Sequence, residues 1–549
     1  MSDRNGGDLV VETLSALGTD TVFGLPGQHA LGLFDALSRA EGAPGDTRNP
    51  AALRLVASRT ENNAAFAADG YARVTGKPGV VFVSTGPGAL TSLAGLHEAY
   101  ITGVPLIVIS SQIPRAGLGG RRKGFLHQLD DQQLAARNVA KSTVVVEHTS
   151  GIVPALEDAW RTALTAPQGP VWVEITQDTL LDPVVTPPVV DVTAEPLAVP
   201  ARAELLDLAA SWLDGAERPV IVAGGGVRRA GAEAALVEVA EALRAPVVCA
   251  PGGKGSIPWD HPLSLQSWVE DIAVTELMAD ADVLLVVGSS LGEVTSNYFT
   301  LVPRGRLIQI DAQPRVLESN HPALGIPADA KAALTGLADR VTRRPVDGRA
   351  EEIVQGVLGV VQSRLDEQDL AHERAVMAAI RSAVPDDAVT FWDMTIAAYW
   401  AWSCWDPRDG AFHSAQGAGG IGWAYGAALG GALGLGRRVL AVNGDGGAMY
   451  GIAELAVARQ HNLPVTWLII DDGGYGILRE YMTAAFGAPT ATELARPDFA
   501  ALAAAFGIPV EVASPESLAE TLQWAWAGDG PNMVVLPTHL DVFAPTHLG

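Results

Sequence analysis

The chain has 549 residues, a mass of 57.2 kDa and a formal net charge of −25. This length exceeds what one hydrophobic core can organise and predicts roughly two to four domains. The negative charge repels phosphate backbones and anionic lipid surfaces, so we expect no nucleic-acid and no membrane partner. The amino terminus has no basic segment before an apolar stretch, and no apolar run approaches the roughly 20 residues that span a bilayer. The sequence therefore predicts a cytoplasmic globular protein.

Two segments have the composition of linkers and divide the chain. Residues 181–204 are rich in Pro and Val without a helical period, and residues 341–352 are short, polar and charged. The parts between them have an ordinary domain length. We therefore predict domains over residues 1–182, 183–345 and 346–549.

Short β-branched runs alternate with Ala-rich amphipathic segments in all three domains. The first has GVVFVST and PLIVISSQ, the second has PVIVAGGG, DVLLVVGSS and RLIQIDAQP, and the third has RVLAVNGDGG and VTWLIIDDGG. Continuous apolar strands that end in Gly or Ser before a helical pattern are typical of parallel sheets covered on both faces. The predicted fold class is therefore α/β, with three doubly wound parallel-sheet domains. Ligands of such sheets bind beyond the carboxyl ends of the strands.

The middle domain contains the Gly-rich segment AGGGVRRAG, residues 223–231. It superficially resembles a dinucleotide fingerprint, but it lacks the GxGxxG spacing, and no GxxxxGK[ST] motif occurs there. A tight turn from a strand to a helix explains these glycines better, and an NAD-dependent dehydrogenase is disfavoured. The two cysteines, Cys249 and Cys404, lie far apart without metal-ligand spacing, so we expect core thiols.

The third domain places acidic residues after two successive strands. Gly444, Asp445 and Gly446 follow the first strand, and a helical pattern leads to a second strand that ends at Asp471 and Asp472. The two strands of such a unit end side by side in a parallel sheet, so Asp445 and Asp472 are expected to converge.

Two converging carboxylates repel each other unless a positive charge lies between them. Mg2+ characteristically binds one or two carboxylates and completes its octahedron with phosphate oxygens and water. The pattern therefore predicts a Mg2+ site for a ligand that carries a diphosphate. The DDGG motif alone is more often a surface turn, and its pairing with the GDG motif favours the metal site.

These motifs resemble those of the thiamine diphosphate-dependent enzymes, which include acetolactate synthases, benzoylformate decarboxylase and benzaldehyde lyase. The resemblance implies that the side chains of Asp445 and Asp472 and the carbonyl of Gly474 hold Mg2+ against the cofactor diphosphate. The family usually has Asn where this chain has Asp472, a departure expected to change metal affinity and not the fold. The cofactor-binding residues that the resemblance implies are Gly444, Asp445, Gly446, Gly447, Ile421, Gly474, Tyr475 and Gly476.

A second match lies in the first domain, where residues 59–92 resemble the pyrimidine-binding domain of the same family. The first and third domains would thus be the pyrimidine-binding and diphosphate-binding domains. The resemblance implies that Glu61 exchanges a proton with the aminopyrimidine ring of the cofactor. Taken alone, Glu61 is an acid at a helix start, where the helix dipole favours it. The family also implies a homodimer or homotetramer with active sites between subunits, so a monomer is expected to be inactive.

Three further residues are assigned through the resemblance. Ile421 is at the position of the bulky apolar residue that supports the bent cofactor, although core packing explains an Ile equally well. Gln128 lies 13 residues before Lys141, the spacing of an active-site Gln in acetolactate synthases. His29 matches a His of benzaldehyde lyase and would relay protons or orient a carbonyl. A capping or core role for His29 is nearly as good an explanation.

The resemblance implies a 2-oxo acid substrate that loses CO2, after which the enamine is protonated or attacks a second carbonyl. An acetolactate synthase-like decarboxylase or carboligase is therefore expected. The alternative is a lyase that cleaves a 2-hydroxy ketone or a 2-hydroxyacyl thioester. FAD is unlikely, because residues 288–299, GSSLGEVTSNYF, lack the Arg-containing flavin motif of acetolactate synthases. A catalytically silent nucleotide-binding relative is disfavoured, because it is expected to have lost Glu61.

Overall fold

Three separate sheets, each with only parallel strand pairs, form the framework of the computed structural model, which describes residues 4–40 and 53–544. This arrangement confirms the predicted class of three parallel-sheet α/β domains. Residues 183–202, in the first predicted linker, form no helix and no strand apart from an isolated bridge at Pro183. The boundaries after residues 182 and 345 stay predictions.

The first sheet has the strand order β2-β1-β3-β4-β6-β5. Its strands are β1 (Thr21–Gly24), β2 (Arg54–Ala57), β3 (Gly79–Val83), β4 (Leu106–Gln112), β5 (Ser142–Val146) and β6 (Val171–Thr176). Its helices are α1 (Gly6–Ala16), α2 (Leu31–Ala40), α3 (Glu61–Thr75), α4 (Pro87–Thr102), α5 (Gln132–Ala136), α6 (Ile152–Leu164) and α7 (Gln177–Leu181).

The second sheet has the order β11-β10-β9-β7-β8. Its strands are β7 (Pro219–Ala223), β8 (Val247–Cys249), β9 (Val283–Val287), β10 (Arg306–Asp311) and β11 (Leu324–Pro327). Its helices are α8 (Ala203–Asp214), α9 (Gly225–Arg229), α10 (Glu233–Leu243), α11 (Ile272–Asp280) and α12 (Ala330–Ala338). The Gly-rich segment at residues 223–231 is thus the predicted turn from a strand to a helix.

The third sheet has the order β13-β12-β14-β15-β17-β16. Its strands are β12 (Val389–Trp392), β13 (Ala411–Ser414), β14 (Val439–Gly444), β15 (Val465–Asp471), β16 (Val510–Val512) and β17 (Asn532–Pro537). The helices are α13 (Arg349–Asp366), α14 (Ala371–Ala383), α15 (Ile396–Cys404), α16 (Trp423–Leu435), α17 (Asp445–Gly451), α18 (Leu455–His461), α19 (Gly476–Phe486), α20 (Phe499–Ala505) and α21 (Leu518–Ala527).

The described residues also form five short 3-10 helices, at Gln28–Ala30, Arg115–Gly120, Thr149–Gly151, Pro251–Gly253 and Ile452–Glu454. The last of them corrects one expectation. The sequence predicted a single helix between β14 and β15, whereas the structure has α17, a 3-10 turn and α18. Three glycines between residues 446 and 451 weaken helical propensity in this segment and account for the interruption.

Helices α3 and α16 join the first and third domains through a close crossing. A Cβ atom on Gly430 would lie only 1.7 Å from the carbonyl oxygen of Ala67, and one on Gly70 would lie 1.9 Å from that of Ala427. Only glycine allows the two backbones to approach so closely. The crossing fixes the relative position of the helix that begins at Glu61 and the helix that follows Ile421.

Both cysteines are free, with Cys249 buried and Cys404 partly buried, in agreement with the predicted thiols. Within residues 4–40 and 53–544, none of the helices combines the length and the apolar character required to cross a bilayer.

Candidate active site

The strand order of the third sheet reverses between β12 and β14, and this is where Asp445 lies. In open α/β sheets, ligands bind at such a reversal, beyond the carboxyl ends of the strands. Asp445 is the first residue of α17 and its side chain is fully buried. The neighbouring strand β15 pairs Ile470 with Gly444 and ends at Asp471, so Asp472 leaves the sheet beside Asp445. We call Asp445 and Asp472 the carboxylate pair.

In the described part of the chain, no basic side chain comes closer than 3.9 Å to the oxygens of the carboxylate pair in any ion pair. Both oxygens of Asp445 are buried, and neither has a hydrogen-bond donor at normal geometry in the described part of the chain. Burial, followed by the neighbouring Asp472, raises the pKa of Asp445 well above its usual range. The closest cation to Asp445 among the ion pairs of the described residues is Arg496, whose Nε lies 3.9 Å from Oδ2 and instead pairs directly with Asp471. A cation between two such carboxylates would relieve this repulsion.

The backbone of residues 472–476 wraps around the Asp472 carboxylate. Gly474 donates its N–H to Oδ1 of Asp472 at 3.3 Å, and Tyr475 donates its N–H to the carbonyl of Thr492 at 2.8 Å. A Cβ atom on Gly476 would lie 1.9 Å from Oδ2 of Asp472, so a side chain at this position would displace the carboxylate. The carboxylate oxygens of Asp445 and Asp472 lie close together, and those of Asp445 accept no hydrogen bond from the described residues. Such oxygen ligands fit a hard cation such as Mg2+.

Asp393 completes this end of the sheet and was missed in the sequence analysis. It directly follows β12 and is fully buried. Its carboxylate accepts hydrogen bonds from the N–H groups of Gly422 (2.8 Å) and Trp423 (3.0 Å) and from Nδ2 of Asn443 (2.7 Å). Burial raises its pKa to about 6 despite these donors. The signal that could have identified it is the one used for Asp445, an acid immediately after an apolar strand.

The loop that carries Ile421 is held from two domains. Asp393 binds its end, and Glu98 of α4 in the first domain accepts hydrogen bonds from the N–H groups of Gly417 (3.3 Å) and Ala418 (2.7 Å). Glu98 is 2% exposed, and its oxygen lies 3.1 Å from Arg73. These contacts fix the backbone on both sides of Ile421, whose own side chain is partly buried. Glu98 and Asp393, almost 300 positions apart in the sequence, thus hold the same loop.

The residues predicted in the first domain gather at the reversal of its own sheet, between β1 and β3. A Cβ atom on Gly88 would lie 3.1 Å from Oε1 of Glu61, which places this carboxyl against the start of α4. The ring of His29 lies 5.4 Å from that of His127, and a Cβ on Gly86 would lie 2.5 Å from the carbonyl oxygen of His127. We call His29, Glu61 and His127 the first-domain cluster.

His29 is buried, and its Nδ1 has no hydrogen-bond partner among the described residues. Burial, and then the nearby His127, lowers its pKa. A neutral imidazole therefore faces the turn after β3. This state suits proton exchange, and it also suits a simple core histidine, so the predicted role of His29 stays a prediction.

Gln128 lies in the same region, and its side chain binds its own loop. Its Oε1 accepts the N–H groups of Gly124 (2.9 Å) and Phe125 (3.3 Å), and its Nε2 donates to the carbonyls of Gly117 (3.3 Å) and Arg122 (3.0 Å). These four bonds shape the loop, and a contact with substrate would require exchanging some of them. The predicted catalytic role of Gln128 is therefore not tested by this arrangement.

Glu454 joins the third domain to the helix of Glu61. It is fully buried, and its Oε1 accepts hydrogen bonds from the N–H groups of Arg59 (2.8 Å) and Thr60 (3.3 Å), just before α3 begins. Nearby, Nδ2 of Asn63 donates to the carbonyl of Tyr450 at 3.1 Å. The start of α3 therefore rests on the carboxyl end of α17 and not on its Asp445 end.

Glu454→Gln is expected to flatten the pH dependence of stability. Burial raises the pKa of Glu454 to about 7 from an ordinary value of 4.5. Between these values the folded state binds the proton better than the unfolded state, so stability falls as pH rises from about 4.5 to 7. The loss approaches about 3 kcal/mol above pH 7. Gln still accepts both N–H groups without carrying a charge, so the variant should melt several degrees higher than the parent at pH 8 and equally at pH 5.

The measurement is the melting temperature across this pH range, with the exposed Glu511→Gln as the matched control. The same pH dependence in parent and Glu454→Gln protein would show that Glu454 does not hold this proton.

A further polar group adjoins Asp472 and was also missed. Glu480 on α19 meets His539 and Asp541, which follow β17, with ligand atoms within 4.8 Å of one another. Nδ1 of His539 lies 3.9 Å from Oδ2 of Asp472. Burial, and then Asp541, raises the pKa of Glu480 to about 7. His539 also lies 3.2 Å from Asp541, so this group places two acidic side chains and one histidine beside Asp472.

Three segments of the chain match one enzyme family. Residues 4–135 match the N-terminal TPP binding domain of the thiamine pyrophosphate enzymes, residues 206–337 match their central domain, and residues 393–536 match their C-terminal TPP binding domain. Thiamine pyrophosphate is another name for thiamine diphosphate. The first and third segments contain the first-domain cluster and the carboxylate pair.

Curated relatives cover almost the whole chain. A probable 2-ketoarginine decarboxylase of Pseudomonas aeruginosa is 32% identical over 537 residues, which cover 96% of this chain and 93% of that protein. The large subunit of acetolactate synthase isozyme 1 from Escherichia coli is 28% identical, with 92% of this chain and 88% of that subunit covered. A probable acetolactate synthase large subunit from Methanocaldococcus jannaschii is 27% identical, with 96% and 91% covered.

Proposed function

The chain belongs to the thiamine pyrophosphate enzymes, and from this premise we propose that it uses thiamine diphosphate and Mg2+ to decarboxylate a 2-oxo acid. Its decarboxylase and acetolactate synthase relatives support a thiamine diphosphate-dependent decarboxylase or carboligase. The observation that carries the Mg2+ requirement is the carboxylate pair, since the buried Asp445 has no hydrogen-bond donor among the described residues. Flavin is not part of the proposal, because the middle domain lacks the flavin motif.

The carboxylate pair and the carbonyl of Gly474 would hold Mg2+. The first N–H groups of α17, at Gly446 and Gly447, point toward the same end of the sheet and suit the diphosphate oxygens. A Cβ on Gly446 would lie 2.6 Å from the ring of Tyr475, so this ring closes one side of the turn. Gly444 and Gly476 complete the backbone of the site, and Ile421 would support the cofactor rings.

Thiamine diphosphate, when bound, supplies the carbon nucleophile that attacks a 2-oxo acid and accepts the electrons released with CO2. Glu61 would hold the proton that its aminopyrimidine ring exchanges. The start of α3, which carries Glu61, rests on Tyr450 and Glu454, at the other end of α17 from Asp445, and this supports sites formed between two copies. We therefore propose a homodimer or homotetramer in which Glu61 serves the site of the neighbouring copy.

The carboxyl groups of Glu480 and Asp541 support a 2-oxo acid with a cationic side chain as the substrate. Glu480 and Asp541 place carboxylates beside Asp472, and one oxygen of Glu480 is buried without a partner among the described residues. A relative with 32% identity is a probable 2-ketoarginine decarboxylase, whose substrate carries a guanidinium group. The carboxyl groups of Glu480 and Asp541 would attract such a group and repel a second carboxylate.

The test is CO2 release from a panel of 2-oxo acids by protein loaded with thiamine diphosphate and Mg2+. The panel comprises 2-oxo-5-guanidinopentanoate, pyruvate, 4-methyl-2-oxopentanoate and phenylpyruvate. We expect release that requires both cofactors and the highest kcat/KM for the guanidino acid. Absence of CO2 from every compound would refute decarboxylation, whereas a preference for an uncharged side chain would refute only the substrate class.

A further inference from the structure

The turn between β3 and α4, residues 84–88, lies against two members of the first-domain cluster. A Cβ atom on Gly88 would lie 3.1 Å from Oε1 of Glu61. A Cβ atom on Gly86 would lie 2.5 Å from the carbonyl oxygen of His127 and 2.8 Å from its Cβ. We call residues 84–88 the glycine turn. A shift of this turn would move the wall against which the carboxyl of Glu61 lies.

The backbone of the glycine turn does not hold itself in one conformation. Gly86 has a φ of 71° and a ψ of −114°, a combination that residues other than glycine rarely adopt. It is the N-cap of α4, and no side chain caps this helix. Glycine also loses more conformational entropy on folding than any other residue. Contacts from outside the turn are therefore needed to hold it.

Gln132, the first residue of α5, supplies such contacts. Its Oε1 accepts hydrogen bonds from Oγ1 of Thr85 at 2.7 Å and from the N–H of Gly86 at 2.9 Å. Its Nε2 donates to Oγ of Ser110 at 3.1 Å and to the carbonyl of Ser111 at 3.3 Å, both in β4. The N–H of Thr85 also donates to Oγ of Ser111 at 3.0 Å. The Gln132 side chain thus joins the glycine turn to the neighbouring strand.

Both ends of the Gln132 amide are fully used, which fixes its orientation. A side-chain amide offers two donors and two acceptor sites, and all four have partners here. The carbonyl of Ser111 requires a donor and the N–H of Gly86 requires an acceptor, so the opposite orientation of the amide is excluded. Gln132 is only 3% exposed and Gly86 is buried. Loss of this amide would therefore leave a buried N–H without its acceptor.

Gln112 is a second buried glutamine in the same polar group, and it serves a different partner. Its Nε2 donates to Oε2 of Glu174 at 2.9 Å. Its Oε1 lies 3.5 Å from Oγ1 of Thr85, at the limit of a hydrogen bond. Burial raises the pKa of Glu174, and the amides of Gln112 and Gln132 both oppose this rise. Both glutamines thus support Glu174, whereas the short bonds to the glycine turn come from Gln132.

We propose that Gln132 is a positioning residue, which holds the glycine turn where the turn orients Glu61 for proton exchange; this inference rests on the proposed function. Gln132 acts through the turn and not on the cofactor itself. Its loss should slow proton exchange at the thiazolium carbon of bound thiamine diphosphate at least tenfold, since a displacement of about 1 Å can cost roughly 100-fold in rate. Cofactor affinity should change little, because the carboxylate pair belongs to the third domain.

The first measurement is amide hydrogen–deuterium exchange in the peptide that contains the glycine turn. It uses the full-length protein with thiamine diphosphate and Mg2+. In Gln132→Leu the N–H of Gly86 loses its acceptor, so exchange in this peptide should accelerate about tenfold. Gln133→Leu, the same change at the next residue, should leave the exchange as in the parent. Equal exchange in Gln132→Leu and the parent would overturn the proposal.

The second measurement is deuterium exchange of the C2 proton of bound thiamine diphosphate, followed by 1H NMR after acid quenching. We expect slower exchange in Gln132→Leu and the parent's rate in Gln133→Leu. Gln112→Leu removes a donor of Glu174 and should lower the melting temperature, yet it should keep the parent's rate.

Two results of the C2 measurement would refute the inference in different ways. Equal slowing in Gln112→Leu and Gln132→Leu would show that Gln132 merely stabilises the domain. If the parent itself exchanges the C2 proton no faster than free thiamine diphosphate, the proposed function fails, and with it the role of Glu61 that Gln132 serves.

A second variant keeps the test valid if Gln132→Leu fails to fold. Thr85→Val keeps the shape of the side chain and removes the hydroxyl that donates to Gln132. It should fold, retain thiamine diphosphate and exchange the C2 proton about threefold more slowly or less, since one of the two bonds to the glycine turn remains. The parent's rate of C2 exchange in folded Thr85→Val, with Gln132→Leu unfolded, would refute the positioning role.

Discussion

Glu61→Gln is expected to lower kcat about 100- to 10,000-fold while thiamine diphosphate stays bound. The carboxyl of Glu61 faces the start of α4 at the reversal of the first sheet, and Gln preserves its shape but not its proton. The helix start itself does not depend on this carboxyl, because Thr60 caps α3 through the N–H of Asn63 at 3.3 Å. The measurements are steady-state CO2 release and cofactor content after gel filtration.

A matched control distinguishes a catalytic role of Glu61 from the stabilising role of any acid at the start of a helix. Glu204 is also an acid in the first turn of a helix, α8, and it is exposed and far from both clusters. Glu204→Gln should retain full activity, with a small loss of stability at most. Equal activity in both variants and the parent would show that Glu61 is merely a helix-start acid. Loss of bound cofactor from Glu61→Gln would contradict the proposal that Glu61 exchanges a proton and that other residues hold the cofactor.

The sheets were predictable from the sequence because both of their signals are local. Apolar runs that end in glycine and then change to a helical period define a strand and its crossover helix. The right-handed crossover then places successive strand ends together, which was enough to bring Asp445 and Asp472 to one point. Asp445 and Asp472, which lie at strand ends, could therefore be predicted from the sequence.

The supports of the site were not predictable, because they come from contacts between distant segments. Glu98 binds the loop at residues 417–418, and Glu454 binds the backbone at residues 59–60, each across more than 300 positions. A lone buried glutamate carries no periodic or spacing signal in sequence. Asp393 is the exception, because its position after β12 repeats the pattern of Asp445.

The adjacent acids Asp471 and Asp472, of which the sequence analysis assigned only Asp472 to the metal, have different surroundings in the structure. Asp471 ends β15 and pairs with Arg496, which compensates its charge. Asp472 lies one residue further, with its oxygens against the N–H of Gly474 and the backbone of Gly476. Among the ion pairs of the described residues, the basic nitrogens that face Asp472 belong to Arg479 and His539, and both are 3.9 Å away. Asp472 therefore stays the acid that we propose as the metal ligand.

Asp472→Asn is expected to preserve folding and Mg2+-dependent cofactor binding, whereas Asp472→Ala should weaken thiamine diphosphate affinity tenfold or more. Asn retains an oxygen that can bind Mg2+ and accept the N–H of Gly474, and it removes one of two repelling charges. Ala removes the oxygen and leaves Asp445 to bind the cation alone. The measurement is a thiamine diphosphate titration at fixed Mg2+, followed by circular dichroism, with the melting temperature as the folding check.

The neighbouring acid supplies the control for this pair of variants. Asp471→Asn weakens an ion pair that is partly exposed, so cofactor affinity should change little, because exposed ion pairs contribute at most about 1 kcal/mol. If Asp472→Ala binds the cofactor as tightly as the parent, Asp472 is not a ligand. If Asp471→Asn loses affinity instead, the metal site is centred one residue earlier, on Asp471.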